Sequence, residues 1–116
     1  MLQNCPMSIP ETDVHRITRW CQARVPERAQ HQVRVECDVA DRHATIVEVR
    51  APWDGVGDWT RNPIARLAYT TSSGLWTLHS RDRNQRFHVF TAVAPTISVQ
   101  ALLDYLNDKP NPIFWG

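Results

Sequence analysis

Two histidines and two arginines lie close together in His79-Ser-Arg81 and Arg86-Phe-His88, a grouping that suits either proton transfer or the binding of an anion. As facing pairs, His79 and His88 would supply a general base and a general acid. Arg81 or Arg86 would then stabilise a phosphorane, as in a metal-independent phosphodiesterase or ribonuclease. As a charged face, the same four side chains would hold an anionic partner, either a nucleic-acid backbone or an acidic protein surface. Arginines directly across from each other on adjacent strands repel by a few tenths of a kcal/mol up to about 1, so something negative is expected nearby. It could also be Glu48 or Asp82 of the chain itself, or simply water. No nucleophile or tautomer-setting carboxylate accompanies the histidines, and no third ligand completes a metal site at His79 and His88. Binding is therefore favoured over catalysis, and no metal or cofactor is expected.

The element that must position these groups is a β-hairpin. Alternating runs at 75–81 and 86–90 flank Asp82-Arg83-Asn84-Gln85, and the turn length decides which side chains share a face. A four-residue turn predicts Trp76, Leu78, Phe87 and Val89 facing the core, with Arg81 opposite Arg86 and His79 opposite His88 on the outer face. A five-residue turn would mix Trp76 and Leu78 with Arg86 and His88. A second candidate is Trp53, Trp59 and Arg61 in the irregular stretch 51–63, which holds two Pro, two Gly and two Trp. Exposed Trp rings in a loop can stack bases, sugars or peptides, whereas rings folded over the open end of the sheet would serve only the core.

The remaining elements follow from periodicity. Ser8-Ile-Pro-Glu11 has capping-box spacing, Val14, Ile17, Trp20 and Cys21 form a helical apolar stripe, and Pro26 stops the helix near Arg24. Residues 32–39 alternate Val33, Val35, Cys37 and Val39 against Arg34, Glu36 and Asp38; strands at 45–50 and 64–69 follow. After Pro95, a cap at Thr96 or Ser98 starts a helix carrying Val99, Leu102, Leu103 and Leu106 inward. Of the last residues, Ile113 and Phe114 are expected to dock on the core with Trp115 at its edge, a tail-exchanged dimer being the alternative. The fold class is α+β: a five-stranded antiparallel meander sheet with an N-terminal and a C-terminal helix packed on it, one domain over 1–116 with 1–7 as a flexible arm.

Composition sets the class. With 116 residues, 42% hydrophobic and 22% charged, the chain is globular and long enough to bury about two thirds of its unfolded surface. A formal net charge of +1 gives no bulk argument for nucleic acid, so any anion site must be local. Twelve of the 13 basic residues are Arg, which suits bidentate anion recognition but also a GC-rich genome's codon bias. Three scattered cysteines without C-x-x-C spacing imply reduced thiols in a cytoplasm, with Cys21 and Cys37 as small core residues. No apolar run is long enough to span a membrane. The chain is expected to be cytoplasmic, a monomer or homodimer.

Several blocks in one order carry a family resemblance: Ile17-Thr-Arg-Trp-Cys-Gln-Ala-Arg-Val-Pro26, Trp59-Thr-Arg-Asn-Pro-Ile-Ala-Arg66, Trp76-Thr-Leu78, Arg81-Asp-Arg-Asn84, Arg86-Phe-His88 and Ile113-Phe-Trp-Gly116. With shorter blocks at 33–36, 45–48 and 51–53, the chain resembles domain of unknown function 3024 nearly end to end. The resemblance implies a small bacterial, actinobacterial cytoplasmic protein and brings no catalytic residue with it. The chain departs from the family pattern at His79-Ser80 and Val89-Phe90, where the family carries an aromatic pair and an Arg-Tyr pair.

Overall fold

In the computed structural model, residues 9–108 and 112–115 are described. The elements run α1 (Glu11–Arg24), β1 (Val33–Val39), β2 (His43–Arg50), β3 (Thr60–Thr70), β4 (Leu75–Arg81), β5 (Phe87–Val89), α2 (Val99–Asp108) and α3 (Pro112–Trp115), with a 3-10 turn at Glu27–Ala29. The five strands form one antiparallel sheet in chain order, the expected meander, and the helices pack on it. No helix among the described residues is long and apolar enough to cross a membrane. Ser8, Cys5 and the expected flexible arm lie outside the described residues.

Strand alternation delivers Val35, Ala44, Ile46, Ala65, Leu67, Trp76 and Leu78 to one face, and all are buried. Onto that face α1 sets Ile17 and Cys21, α2 sets Val99, Leu102, Leu103 and Leu106, and α3 sets Phe114, forming one core. Both helical stripes are as the 3.6-residue period requires. The N-cap of α1, however, is Pro10 and not Ser8, and no side chain caps it. The fixed φ of Pro10, −55°, leads into the first turn, where Glu11 and Asp13 meet the helix's positive end. The last residues form a helix and not an extended strap. Phe114 is buried, and Trp115 donates from Nε1 to the Leu106 carbonyl at 3.0 Å while its ring packs on Trp20. Ile113 departs from expectation, being 47% exposed.

Strand β3 begins four residues earlier than expected, so 60–63 is strand and not loop. The ladder with β2 shifts between Ile46 and Val47, where Val47 pairs with Pro63; a bulge tolerates a proline that cannot donate a ladder bond. Ile46 and Val47 are both buried because both faces of β2 are covered. On the face away from the helices, Arg61 reaches across β2 to Glu36 at 2.9 Å and Asp38 at 2.8 Å, roofing Val47 and Val49.

The hairpin register differs from the expected one. Arg81 pairs with Phe87, Ser80 with His88 and His79 with Val89, so Arg81 does not face Arg86 and His79 does not face His88. Turn chemistry overrides apolar alternation here. Asp82 N–H donates to the Arg86 carbonyl at 2.9 Å and Gln85 adopts φ 67°, so five residues, 82–86, separate the paired Arg81 and Phe87, the turn length that apolar alternation disfavoured. The Asp82 Oδ1 accepts the Asn84 and Arg86 amides at 2.8 and 3.0 Å. With β5 only three residues long, its two apolar positions weigh little against these bonds. Phe90 takes the core position instead: its N–H donates to the Leu78 carbonyl at 2.8 Å, and its ring meets Phe114 and Tyr105. Beyond it, Trp76 and Thr96 exchange two backbone bonds of 2.7 and 2.9 Å.

Candidate functional site on the open sheet face

Because the register is odd by one residue, the four hairpin groups divide between the two sheet faces. His79 and Arg81 lie on the helix-free face with Phe87 and Val89. His88 lies on the other face beyond Ser80, exposed, with its Nε2 2.6 Å from Asp82 Oδ2. Arg86 belongs to the turn, exposed and opposite Asp82. The expectation of a facing His79/His88 acid–base pair is therefore corrected, as is that of Phe87 and Val89 in the core. Phe87 is half-buried, and Val89 is 53% exposed.

The open face instead assembles around Arg66, which sequence reasoning missed. The cross-strand row Asp38, Thr45, Arg66, His79, Val89 places Arg66 at its centre. Its Nε donates to Thr45 Oγ1 at 3.0 Å, and its guanidinium lies 4.3 Å from the centroid of the Phe87 ring. Phe87 is also the cross-strand partner of Arg81, which places the ring and Arg81 on the same face. Arg81 donates from Nη1 to Asn62 Oδ1 at 3.1 Å and to the Pro63 carbonyl at 2.6 Å. Among the described residues, neither Arg66 nor Arg81 meets a carboxylate at ion-pair distance. Both positive charges rest on neutral acceptors.

The histidines register that surplus. Burial, then Arg66, then His43 hold the His79 imidazole below its ordinary value of 6.5. Its Nε2 shares a hydrogen bond of 3.0 Å with Thr77 Oγ1. His43, in the neighbouring row through Ala68 to Thr77, is likewise held down by burial and by Arg66. The His43 Nδ1 is buried without a hydrogen-bond partner among the described residues. The arrangement is thus a positive, hydrogen-bonding patch around an aromatic ring. It can receive an oxyanion, and no group on it is placed as a nucleophile.

The other predicted residues lie apart. Arg61 is neutralised by Glu36 and Asp38, Trp59 is half-buried under Arg34 at 4.5 Å, and Trp53 is 96% exposed in the loop between β2 and β3. A cleft of ≈ 500 Å³ lies on the outer side of α1, between His15, Arg16, Arg19, Trp20 and Gln100, away from this patch. No group of three or more His, Cys, Asp or Glu among the described residues is arranged to hold a metal ion. Finding Arg66 from sequence required the register of β3 on β4, because that pairing brings it beside His79.

No curated protein and no solved structure matches the chain. The family model Domain of unknown function (DUF3024) matches residues 6–116, nearly the whole chain, and the chain therefore belongs to that family.

Proposed function

We propose that the protein is a binding module whose open sheet face takes the phosphate backbone of a single-stranded nucleic acid. The observation that carries this reading is that Arg66 and Arg81 share a helix-free face and, among the described residues, are bonded only to neutral acceptors. A phosphate over them gains two charge-assisted donors at small desolvation cost, and Phe87 adds a ring on which a base can stack. Burial and then Arg66 hold His79 and His43 down, and an anion over Arg66 relieves the second of these, favouring the protonated, donating imidazoles. The separation of His79 from His88 removes the geometric basis of the phosphodiesterase alternative.

The test is a fluorescence-anisotropy titration of the full chain with a labelled single-stranded oligonucleotide over a series of salt concentrations. Replacing both Arg66 and Arg81 by Gln should weaken binding and flatten the log–log salt slope by about 1.4, roughly 0.7 per phosphate contact on a single strand. Replacing His88 by Gln, off the face, should leave the slope unchanged. Absence of binding at about 20 mM salt refutes the nucleic-acid reading. Binding of an acidic peptide under the same conditions would redirect the face to a protein partner.

A further inference from the structure

A second chemistry-bearing cluster lies on the opposite face, between α1 and β1. Cys21 is buried on the inward stripe of α1, and Cys37 is half-buried on the edge strand β1, on the side turned to that helix. Thr18, one turn before Cys21 on α1, brings its hydroxyl to 3.5 Å of the Cys37 sulfur, so one stretch of helix presents both groups to β1. A cleft of ≈ 310 Å³ is lined by both cysteines with Thr18, Gln22, Glu36 and Val39, giving Cys37 a route to small solutes. One sulfur is therefore buried, the other open to a cleft.

We infer that Cys21 and Cys37 form a peroxide-reactive pair, in which the Cys37 sulfur attacks the oxidant and the Cys21 sulfur closes a reversible disulfide between α1 and β1. The electrostatics agree with these roles. The neighbouring Cys21 thiol, aided by Thr18, lowers Cys37 to about 6 against burial and the carboxylates of Asp38 and Glu36. The neighbouring Cys37 and burial push Cys21 well up, opposed by Arg24. In the first step the Cys37 thiolate forms an S–O bond as the peroxide O–O bond breaks, and the departing hydroxide takes a proton from solvent to become water. In the second, the Cys21 sulfur attacks the sulfenic sulfur and its own proton leaves with the displaced hydroxide as a second water. The two sulfurs together lose two electrons, and the peroxide is reduced to two waters. Because both thiols border one cleft between the packed helix and the edge strand, closing to an S–S bond of about 2.05 Å draws β1 against α1 without rearranging the sheet.

The test uses the full chain with Cys5→Ser, so that only this pair remains, treated with one equivalent of hydrogen peroxide at neutral pH. Both thiols should be lost together, the intact mass should fall by two hydrogen atoms, and a peptide joining Cys21 to Cys37 should appear; dithiothreitol should restore all three readings. In a Cys21→Ser chain confirmed to be folded by circular dichroism, Cys37 should accumulate as a dimedone-trapped sulfenic acid. The inference is overturned if the pair reacts no faster than free cysteine, if Cys37 passes to sulfinic acid with Cys21 intact, or if the disulfide joins two chains. The mass measurement on the Cys5→Ser protein decides alone should the Cys21 variant fail to fold.

Discussion

Replacing Leu78 and Phe87 separately by Ala separates the observed hairpin register from the one that apolar alternation suggests. Leu78 is fully buried, paired with Leu67, and its carbonyl accepts from Phe90, so truncation leaves a cavity in the middle of the core. Leu→Ala at such a site costs roughly 2–5 kcal/mol, and about 3–4 is expected here. Phe87 lies on the open face, half-buried, and loses its stacking with Arg66, worth about 0.5–1 kcal/mol, plus a fraction of its burial. Its cost should be about 1–1.5 kcal/mol. With a urea m-value near 1.5–2 kcal/mol/M for a domain of this size, the midpoint should fall by about 2 M for Leu78→Ala and by less than about 1 M for Phe87→Ala. Chemical denaturation followed by Trp fluorescence measures both, and equal m-values confirm that the comparison is one of stability. If Phe87→Ala is as costly as Leu78→Ala, Phe87 is a core residue, and the observed β4–β5 register and the aromatic ring of the open-face site fail with it.

Two further outcomes follow from the same geometry. His43 and His79 titrate lower in the fold than their ordinary 6.5, so the unfolded chain takes up protons first, and stability should fall as pH drops below about 6.5, levelling once the folded imidazoles are charged. The urea midpoint at about pH 5.5 against pH 7.5 in a Cys37→Ser chain, which removes the thiol that titrates in the same window, checks this, and Arg66→Gln should shrink the difference; an unchanged or larger difference refutes the contribution of Arg66 beside burial. Deleting residues 113–116 removes Phe114 from the core and the Trp115 bond to Leu106, so the melting temperature should fall to the same extent at every protein concentration. A concentration-dependent shift, or a dimer becoming a monomer in light scattering, would mean that the tail joins two chains.

What the sequence made legible was periodic and local. Val33 to Val39 alternates because one side meets α1 and the other meets water and Arg61, and Val99, Leu102, Leu103 and Leu106 recur at helical spacing because one side of α2 is dry. What escaped depends on side-chain bonds that periodicity does not encode. Asp82 binds two amides and an imidazole, and that left five residues between the paired Arg81 and Phe87 and moved the β5 side chains to the other face. The candidate site escaped for a related reason: Arg66 and Thr45 come from strands that sequence reasoning found, and His43 lies two residues before one, but their meeting with His79 depends on the registers of β2, β3 and β4. The start of α1 was misplaced because Ser8 and Glu11 have capping-box spacing, whereas Pro10 enters the helix through its own fixed φ.

The backbone bonds between Trp76 and Thr96 have a consequence for how copies of this chain meet one another. A sheet invites another strand wherever a run of amides and carbonyls lies unpaired along its border. Strand β4 is closed in pieces: by β5 at His79 to Arg81, by Phe90 at Leu78, and by Thr96 at Trp76. Its border is thereby used up within the chain, although β5 itself is only three residues long. The remaining long border is β1, seven residues whose outer face carries Arg34, Glu36 and Asp38 in alternation. An approaching β1 in antiparallel register about Glu36 would set Glu36 against its own copy, while Arg34 would meet Asp38. Charge thus opposes strand addition in this register only at the centre of the border, where Glu36 meets itself, and the two flanking Arg34–Asp38 meetings favour it.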